Sequence, residues 1–187
     1  MDVQWPPPDA GCPSTDMRND LRKEPVTRRT RTLLFAAALS ASIGCDQATK
    51  HAADALRGAP VRSYLFDTFR LVWATNQGAF LSLGAGLPAA ARYWILTIAV
   101  GLVLAGVTAY AMVNGKLDGW QTAGYALIAG GGLSNWIDRT RFDGRVVDFM
   151  NMGIGPLRTG IFNVADFAII AGFAILFIRS RRSKLKT

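Results

Sequence analysis

Long apolar runs alternate with short polar ones along most of the chain. Three of these runs carry at most one charged residue, and each has about the 20 residues needed to cross the hydrocarbon core of a membrane. A fourth apolar run begins at Thr32 and is shorter, and it reaches that length only if its helix continues through Asp46 and Lys50. The pattern predicts four membrane-spanning helices, at about 32–51, 93–113, 119–137 and 160–178.

The segment between the first two predicted helices has a different pattern. Apolar residues such as Tyr64, Phe66 and Leu71 are interleaved with polar ones over residues 59–84, which approximates the alternation of a half-buried strand. We therefore expect a small β-region outside the membrane. Residues 1–30 are polar and contain three consecutive prolines, so they are expected to form a disordered tail, and 181–187 a basic tail.

The net charge of +8 does not indicate a nucleic-acid-binding protein. The basic residues flank apolar segments instead of forming a groove with interleaved aromatic residues. Lysine and arginine are denser in the two tails and in the loop 114–118 than in the other loops. By the positive-inside rule, this bias places both termini in the cytoplasm and residues 51–91 and 139–158 on the opposite side.

The chain contains few residues that could bind a metal ion or form disulfide bonds. The two cysteines, Cys12 and Cys45, fall in different parts of the predicted topology and cannot make a disulfide framework. His51 is the only histidine, which in practice excludes a zinc site built from histidines. We therefore expect neither a metal nor a cofactor.

Asp166 is the strongest candidate for chemistry because it lies inside the fourth apolar run. A carboxylate at membrane depth costs about 2.5–3.5 kcal/mol on insertion scales and by default marks a functional site. Asp148 lies just upstream on the same predicted outer side, and Asn163 lies on the same helical face as Asp166. Two carboxylates brought to one end of a bundle suggest acid–base chemistry.

Other polar residues gather at the same predicted outer ends of the helices. Asp46 and Lys50 are spaced i,i+4 and can form a mainly structural pair. Asp138 is expected to give structural support near Asn135. Arg139 could hold a substrate carbonyl or a lipid head group with its planar, multi-donor cation.

Two other functions remain open from these residues. A small four-helix carrier or proton-coupled membrane protein would also place carboxylates in its spans, but residues 167–178 offer no other polar side chain to continue a path. A lipid-anchored binding protein would require processing at Cys45. Ser42 stands three residues before that cysteine, where a large aliphatic residue is usual. The glycine run 130–132 predicts close packing between helices.

Five motifs occur in order and together carry a family resemblance. They are DQATK at 46–50, NQGAFLS at 76–82, NWIDR at 135–139, RVVDF at 145–149 and FNVAD at 162–166. The chain from about residue 31 to 180 resembles lipoprotein signal peptidase, also called signal peptidase II.

The resemblance implies an all-α integral membrane protein with four transmembrane helices and a small extracytoplasmic β-cradle. It implies an aspartic endopeptidase of the bacterial cytoplasmic (inner) membrane, monomeric and free of metal, whose active site lies on the extracytoplasmic side. The substrates would be prolipoproteins, cleaved on the amino side of a diacylglyceryl-modified cysteine. The family's catalytic dyad maps onto Asp148 and Asp166. Its other polar site residues map onto Asp46, Lys50, Asn76, Gly78, Asn135, Arg139, Asn163 and Ala165.

Three positions depart from the family pattern. Ser134 stands where glycine usually precedes the asparagine of the NxxDR motif. Leu81 replaces a usual phenylalanine, and Phe167 follows the second dyad aspartate where a small residue is common. These changes concern the shape of the lipid pocket and therefore the range of substrates.

Overall fold

The computed structural model describes residues 25–78 and 84–184. Most of the predicted N-terminal tail, part of the NQGAFLS motif and residues 185–187 therefore lie outside the described residues. The described chain is mostly helical with one small antiparallel sheet. Its long helices are α1 (Arg28–Ala53), α2 (Ala89–Val113), α3 (Gly119–Arg141) and α4 (Val164–Lys184).

Local signals explain where the helices begin. Thr27 caps α1, since its hydroxyl accepts the Thr30 backbone N–H at 3.2 Å. Asp118 and Gln121 form a capping box at the start of α3, each side chain accepting the other's backbone N–H. Helix α4 begins at Val164, four residues after the expected start of the fourth span, because residues 160–163 run in extended conformation beside Met150.

Helix α2 is long and apolar enough to cross a membrane by length and composition, and it alone meets that test among the described helices. Its turn Tyr93–Ala99 has π-type hydrogen bonding. Helix α4 has an equally apolar middle, but Asp166 lies at one end and Arg179 and Arg181 at the other.

The sheet has the order β1-β2-β3-β4, with every neighbouring pair antiparallel. Its strands are β1 (Arg62–Tyr64), β2 (Phe69–Asn76), β3 (Val146–Ile154) and β4 (Leu157–Arg158). The first two lie within the expected β-region. Strand β3 was not expected, because Val146 to Phe149 are all buried and so show no alternation. Its residue Asp148 pairs with Ala74 across the sheet.

Close backbone contacts join α3 to α4. A Cβ added to Gly131 would lie 2.5 Å from the Ala165 carbonyl oxygen, and one added to Gly172 would lie 2.6 Å from the Gly124 carbonyl oxygen. Gly130 lies equally close to α1, where a Cβ would meet Ser42 at 2.8 Å. The glycines let α3 contact both neighbours, and the expected role of 130–132 in helix packing is confirmed.

Candidate active site

Polar side chains from three helices and one strand converge at one end of the bundle. The end of α1, the end of α3, the start of α4 and strand β3 supply them, and the sheet covers this end. Seven polar side chains are buried there, and the buried Ala165 adds its backbone N–H: Asp46, Lys50, Asn135, Asp138, Asp148, Asn163 and Asp166. Such a concentration of buried polar groups requires that nearly every one has a hydrogen-bond partner.

Asp148 faces the helices from β3 and is only 3% exposed. Its Oδ1 accepts a hydrogen bond from Asn163 Nδ2 at 2.6 Å, and the Asn76 side chain on β2 also bonds to this carboxyl. Burial, reinforced by the negative charge of Asp166, raises the pKa of Asp148 to about 7, although the Asn76 and Asn163 hydrogen bonds oppose the rise. Asp148 is therefore poised to exchange a proton near neutral pH.

Asp166 sits in the first turn of α4 and is held by two asparagines. Asn135 Nδ2 donates to Asp166 Oδ1 at 3.1 Å, and the Asn163 backbone N–H donates to Oδ2 at 3.2 Å. The Asp166 N–H returns a bond to Asn163 Oδ1 at 3.1 Å, so the two residues cap the helix reciprocally. Asn163 thus contacts both aspartates, and it fixes where one lies with respect to the other.

Lys50 organises the acidic groups behind this pair. Its ammonium lies 2.6 Å from Asp46 Oδ2 and 2.8 Å from Asp138 Oδ2, and it donates to Asn135 Oδ1 at 2.8 Å. The bond to Asn135 orients that amide so that its NH₂ group points at Asp166. The remaining Asp46 oxygen accepts the Ala165 backbone N–H at 2.8 Å. Lys50, Asp46 and Asp138 therefore support the site, and Ala165 takes part through its backbone.

Two further residues belong to this network and were missed in the sequence. Ser134 donates to Asp46 Oδ2 at 2.8 Å, and Gln47 Nε2 donates to Ser134 Oγ at 3.0 Å and to Asp138 Oδ1 at 2.9 Å. Their positions in the motifs could have indicated this role. Gln47 is the second residue of DQATK, and Ser134 stands where the family usually has glycine. Their hydroxyl and amide tie α1 to α3 beside the Lys50 ion pairs.

Arg139 connects the end of α3 to the segment after β2. It donates to the Gly78 carbonyl at 2.8 Å, and the Gly78 N–H donates to Asn76 Oδ1 at 2.8 Å. Its Nε is buried and has no hydrogen-bond partner among the residues described. Asn76 and Gly78 therefore lie with the other expected site residues, joined to the end of α3 by Arg139.

A cavity of about 370 Å³ opens beside Asp166, between α2, α3 and α4. Its polar end is formed by Asn135, Arg139 and Asp166. Apolar groups form the rest of the wall: Leu96, Val100, Gly132, Ile169, Ile170 and Phe173. The shape suits an amphiphile that places a carbonyl group beside the carboxylate and an aliphatic chain along the wall. Across the described residues, no group of three metal-ligating side chains could hold a metal ion.

Comparisons with known proteins agree on one family. A family model described as signal peptidase (SPase) II matches residues 38–182. The lipoprotein signal peptidase of Sphingopyxis alaskensis is 42% identical over 113 residues, covering 60% of this chain and 63% of the relative. That of Gloeobacter violaceus is 37% identical over 119 residues, or 64% of each chain. The matched part is thus under two thirds of either relative's length. That of Acaryochloris marina is 30% identical over 165 residues, 84% of this chain and 94% of the relative.

Solved structures show the same fold. A bacterial membrane enzyme determined at 2.3 Å has a TM-score of 0.65 and 19% identity, and the match covers 87% of this chain and 93% of that one. A second bacterial membrane enzyme, at 1.9 Å, has a TM-score of 0.61 and again 19% identity. The helical bundle with its small sheet is therefore an arrangement already seen in membrane enzymes.

Proposed function

This chain belongs to the signal peptidase II family, and from that membership we propose that it is a membrane aspartic endopeptidase that removes signal peptides from prolipoproteins. The observation that carries the proposal is Asn163, which binds the carboxylates of both Asp148 and Asp166. Asp166 lines the polar end of an apolar cavity, where a lipid-bearing peptide would present its scissile bond, and Asn163 holds Asp148 beside it.

Mechanism follows from placing two acids close together in a buried site. Both cannot ionise easily, so one carboxyl stays protonated while the other is charged. The charged carboxylate takes a proton from water, which attacks the carbonyl carbon of the scissile peptide bond. The protonated carboxyl donates to the developing oxyanion. The two apparent pKa values belong to the pair.

The residues around the dyad supply binding and orientation. Asn135 and Asn163 hold the carboxylates, and Arg139 lines the polar end of the cavity, where its guanidinium can bind a substrate carbonyl. We infer that cleavage falls on the amino side of a diacylglyceryl-modified cysteine, whose acyl chains follow the apolar wall into the lipid. The reaction as proposed uses neither a metal nor a cofactor, and the enzyme acts as a monomer.

The proposed topology has four helices spanning the bacterial cytoplasmic membrane. Outward-facing residues on α2 and α4 support it, since Leu102, Phe173 and Phe177 are each at least 59% exposed. Basic residues cluster at the end of the bundle away from the dyad, including Arg28 and Arg179. Both termini would then be cytoplasmic and the active site extracytoplasmic.

The carrier reading has less support. A proton or solute path from Asp166 toward the other end of α4 would need polar side chains along the helix, and residues 167–178 supply none. The families found by comparison are peptidases, not carriers.

The direct test is cleavage by the purified protein in lipid. We expect release of the signal peptide from a diacylglyceryl-modified prolipoprotein, none from the unmodified precursor, and an unchanged rate in a metal chelator. Asp143→Asn is the matched control for Asp-to-Asn changes in the dyad and should cleave at the wild-type rate. Asp143 is an exposed carboxylate at a positive φ that asparagine also adopts. Lack of cleavage by a folded wild-type protein, or equal cleavage of both precursors, would refute the proposal.

A further inference from the structure

Two turns at one end of the sheet expose apolar side chains that no other described part of the chain covers. They are Leu65 and Phe66 between β1 and β2, and Ile154 and Leu157 around the turn between β3 and β4. Leu65, Ile154 and Leu157 are 74–81% exposed, and Phe66 is fully exposed. We call these four residues the apolar tip. Isolated exposed apolar residues are ordinary, but four gathered on two adjoining turns mark an interaction surface.

The two turns are held together rigidly. The Gly153 N–H donates to the Thr68 carbonyl at 2.9 Å, and Arg158 NH1 donates to the Asp67 carbonyl at 2.8 Å. The Asp67 carboxylate accepts bonds from Ser63 at 2.6 Å and from Arg70 at 2.6 and 2.5 Å. These bonds hold the pKa of Asp67 below its usual range, the Arg70 bond most of all. The Asp67 carboxylate therefore stays ionised at physiological pH and available to these donors.

The backbone of the first turn is strained. Leu65, Phe66 and Asp67 have φ values of 53°, 54° and 67°, three consecutive non-glycine residues in the left-handed region. Such residues persist only where their surroundings impose the conformation, and they cluster at functional sites. Here the result of the strain is to project Leu65 and Phe66 away from the protein.

We propose that the apolar tip inserts into the outer leaflet of the membrane and anchors the sheet there. This inference rests on the proposed function, which places the sheet at the extracytoplasmic surface. The tip projects from two turns with its four side chains at least 74% exposed, so it suits a fluid apolar phase better than a shaped protein partner. Arg62 and Arg70 and the half-exposed Tyr64 lie beside it. Basic and tyrosine side chains next to apolar ones are typical of residues at the lipid head groups.

The anchor would act on the active site through one strand. Asp148 and Ile154 are six residues apart on β3, a distance of about 20 Å along an extended strand. One end of β3 thus carries a dyad carboxylate and the other carries the tip. Insertion of the tip would hold Asp148 at a constant height relative to the lipid that carries the substrate.

Site-directed spin labelling of the full chain in phospholipid vesicles tests the insertion. In a background with Cys12→Ser and Cys45→Ser, nitroxides are placed by Phe66→Cys and Leu157→Cys. Val103→Cys on the outer face of α2 is the lipid reference, and Arg141→Cys, exposed at the end of α3 beyond the expected span, is the aqueous one. We expect both tip labels to collide more often with oxygen than with a water-soluble nickel chelate.

Three results would overturn the insertion: preferential collision with the nickel chelate, collision rates that change only when prolipoprotein is added, or spin–spin broadening between copies that disappears on dilution with unlabelled protein. These would assign the tip to water, to substrate or to a second copy. The measurement does not depend on cleavage. A wild-type protein that fails to cleave would refute the proposed function and leave the collision result readable.

A paired activity assay tests the consequence for Asp148. Phe66→Ser combined with Leu157→Ser should reduce cleavage in vesicles by about five- to tenfold, whereas Phe66→Leu combined with Leu157→Met should keep the wild-type rate. Equal thermal unfolding of the two double variants would show that the sheet remains folded. Wild-type cleavage by the serine variant would overturn the anchoring of Asp148.

Discussion

The two ends of the helical bundle both contain buried charges, but they use them differently. At the end away from the sheet, the single buried acid of the described chain, Asp118, pairs with Arg179 at 2.5 Å, and the buried Arg31 donates to the Met112 carbonyl at 2.9 Å. At the sheet end four aspartates are buried, and Lys50 pairs with only two of them, Asp46 and Asp138.

The difference separates a structural ion pair from a site able to do chemistry. Asp118 also caps α3, so its carboxylate serves the helix start and joins it to α4. Asp148 and Asp166, by contrast, are held mainly by asparagine donors, and within the described chain neither lies in ion-pair distance of a cation. A buried ammonium would favour the ionised form of a carboxyl strongly, whereas the amide donors oppose protonation only in part, so burial and the second acid still raise the pKa of Asp148.

The largest effect is expected at the two amide-bound acids. Asp148→Asn and Asp166→Asn should each lower the cleavage rate by at least about a thousandfold while leaving a folded protein. Because the pair acts as one unit, the double variant should be little worse than either single one. Initial rates in vesicles at matched protein levels provide the measurement. Substantial cleavage by either single variant would remove that residue from the dyad.

Removing the buried cation should lower the free energy of unfolding more at the sheet end than at the opposite end. Lys50→Met leaves Asp46 and Asp138 buried without a cation and should lower the free energy of unfolding by about 3–5 kcal/mol. Arg179→Met orphans a single acid that remains bonded to the α3 N-terminus, so its cost should be smaller. Denaturant unfolding in detergent measures both. Adding Asp138→Asn to Lys50→Met should recover part of the loss, and an equal cost at both ends would contradict the comparison.

The pH dependence of stability should come from the dyad end. The pKa of Asp148 is raised to about 7 in the folded protein, so folding favours its protonated form. The stability that this provides is complete below about pH 4 and is lost as the pH rises through about 7. Asp148→Asn lacks this loss, so it should gain in melting temperature relative to wild type between pH 5 and pH 8. A constant difference over this range would contradict the shift.

The smallest effect is expected where the support network is redundant. Ser134→Gly removes one hydrogen bond to Asp46, yet Lys50 and the Ala165 N–H still bind that carboxylate. We expect a loss of about 1–2 kcal/mol in stability and a cleavage rate within about threefold of wild type. Ser134→Ala separates the lost bond from the flexibility of glycine. A large fall in rate with unchanged stability would instead place Ser134 in the reaction.

Much of the architecture could be predicted from the sequence because apolar runs and i,i+4 pairs are local features. The Asp46–Lys50 pair is an example, since both members lie on one face of α1. Strand β3 could not be recognised, because a strand buried on both faces shows no alternation. The late start of α4 depends on Asn163 acting as its cap, which a hydropathy pattern does not show.

Contacts between segments that are distant in the chain could not be predicted from the sequence either. Gln47 and Ser134 are 87 residues apart and meet only because α1 packs on α3. Arg139 bonds to the Gly78 carbonyl, and a backbone acceptor leaves no trace in residue identity. The sequence therefore identifies the individual polar residues, whereas their hydrogen-bond partners can be identified only from the packed structure.

The glycine contacts between α3 and α4 also determine which glycine positions tolerate substitution. Alanine at Gly131 or Gly172 would push two backbones apart, whereas a Cβ at Gly44 or Gly106 would meet no atom within 4 Å. In a library of random variants selected for growth, the first two positions should therefore stay glycine and the last two should drift. Some positions would then be invariant among natural variants because of close helix packing and not because of catalysis.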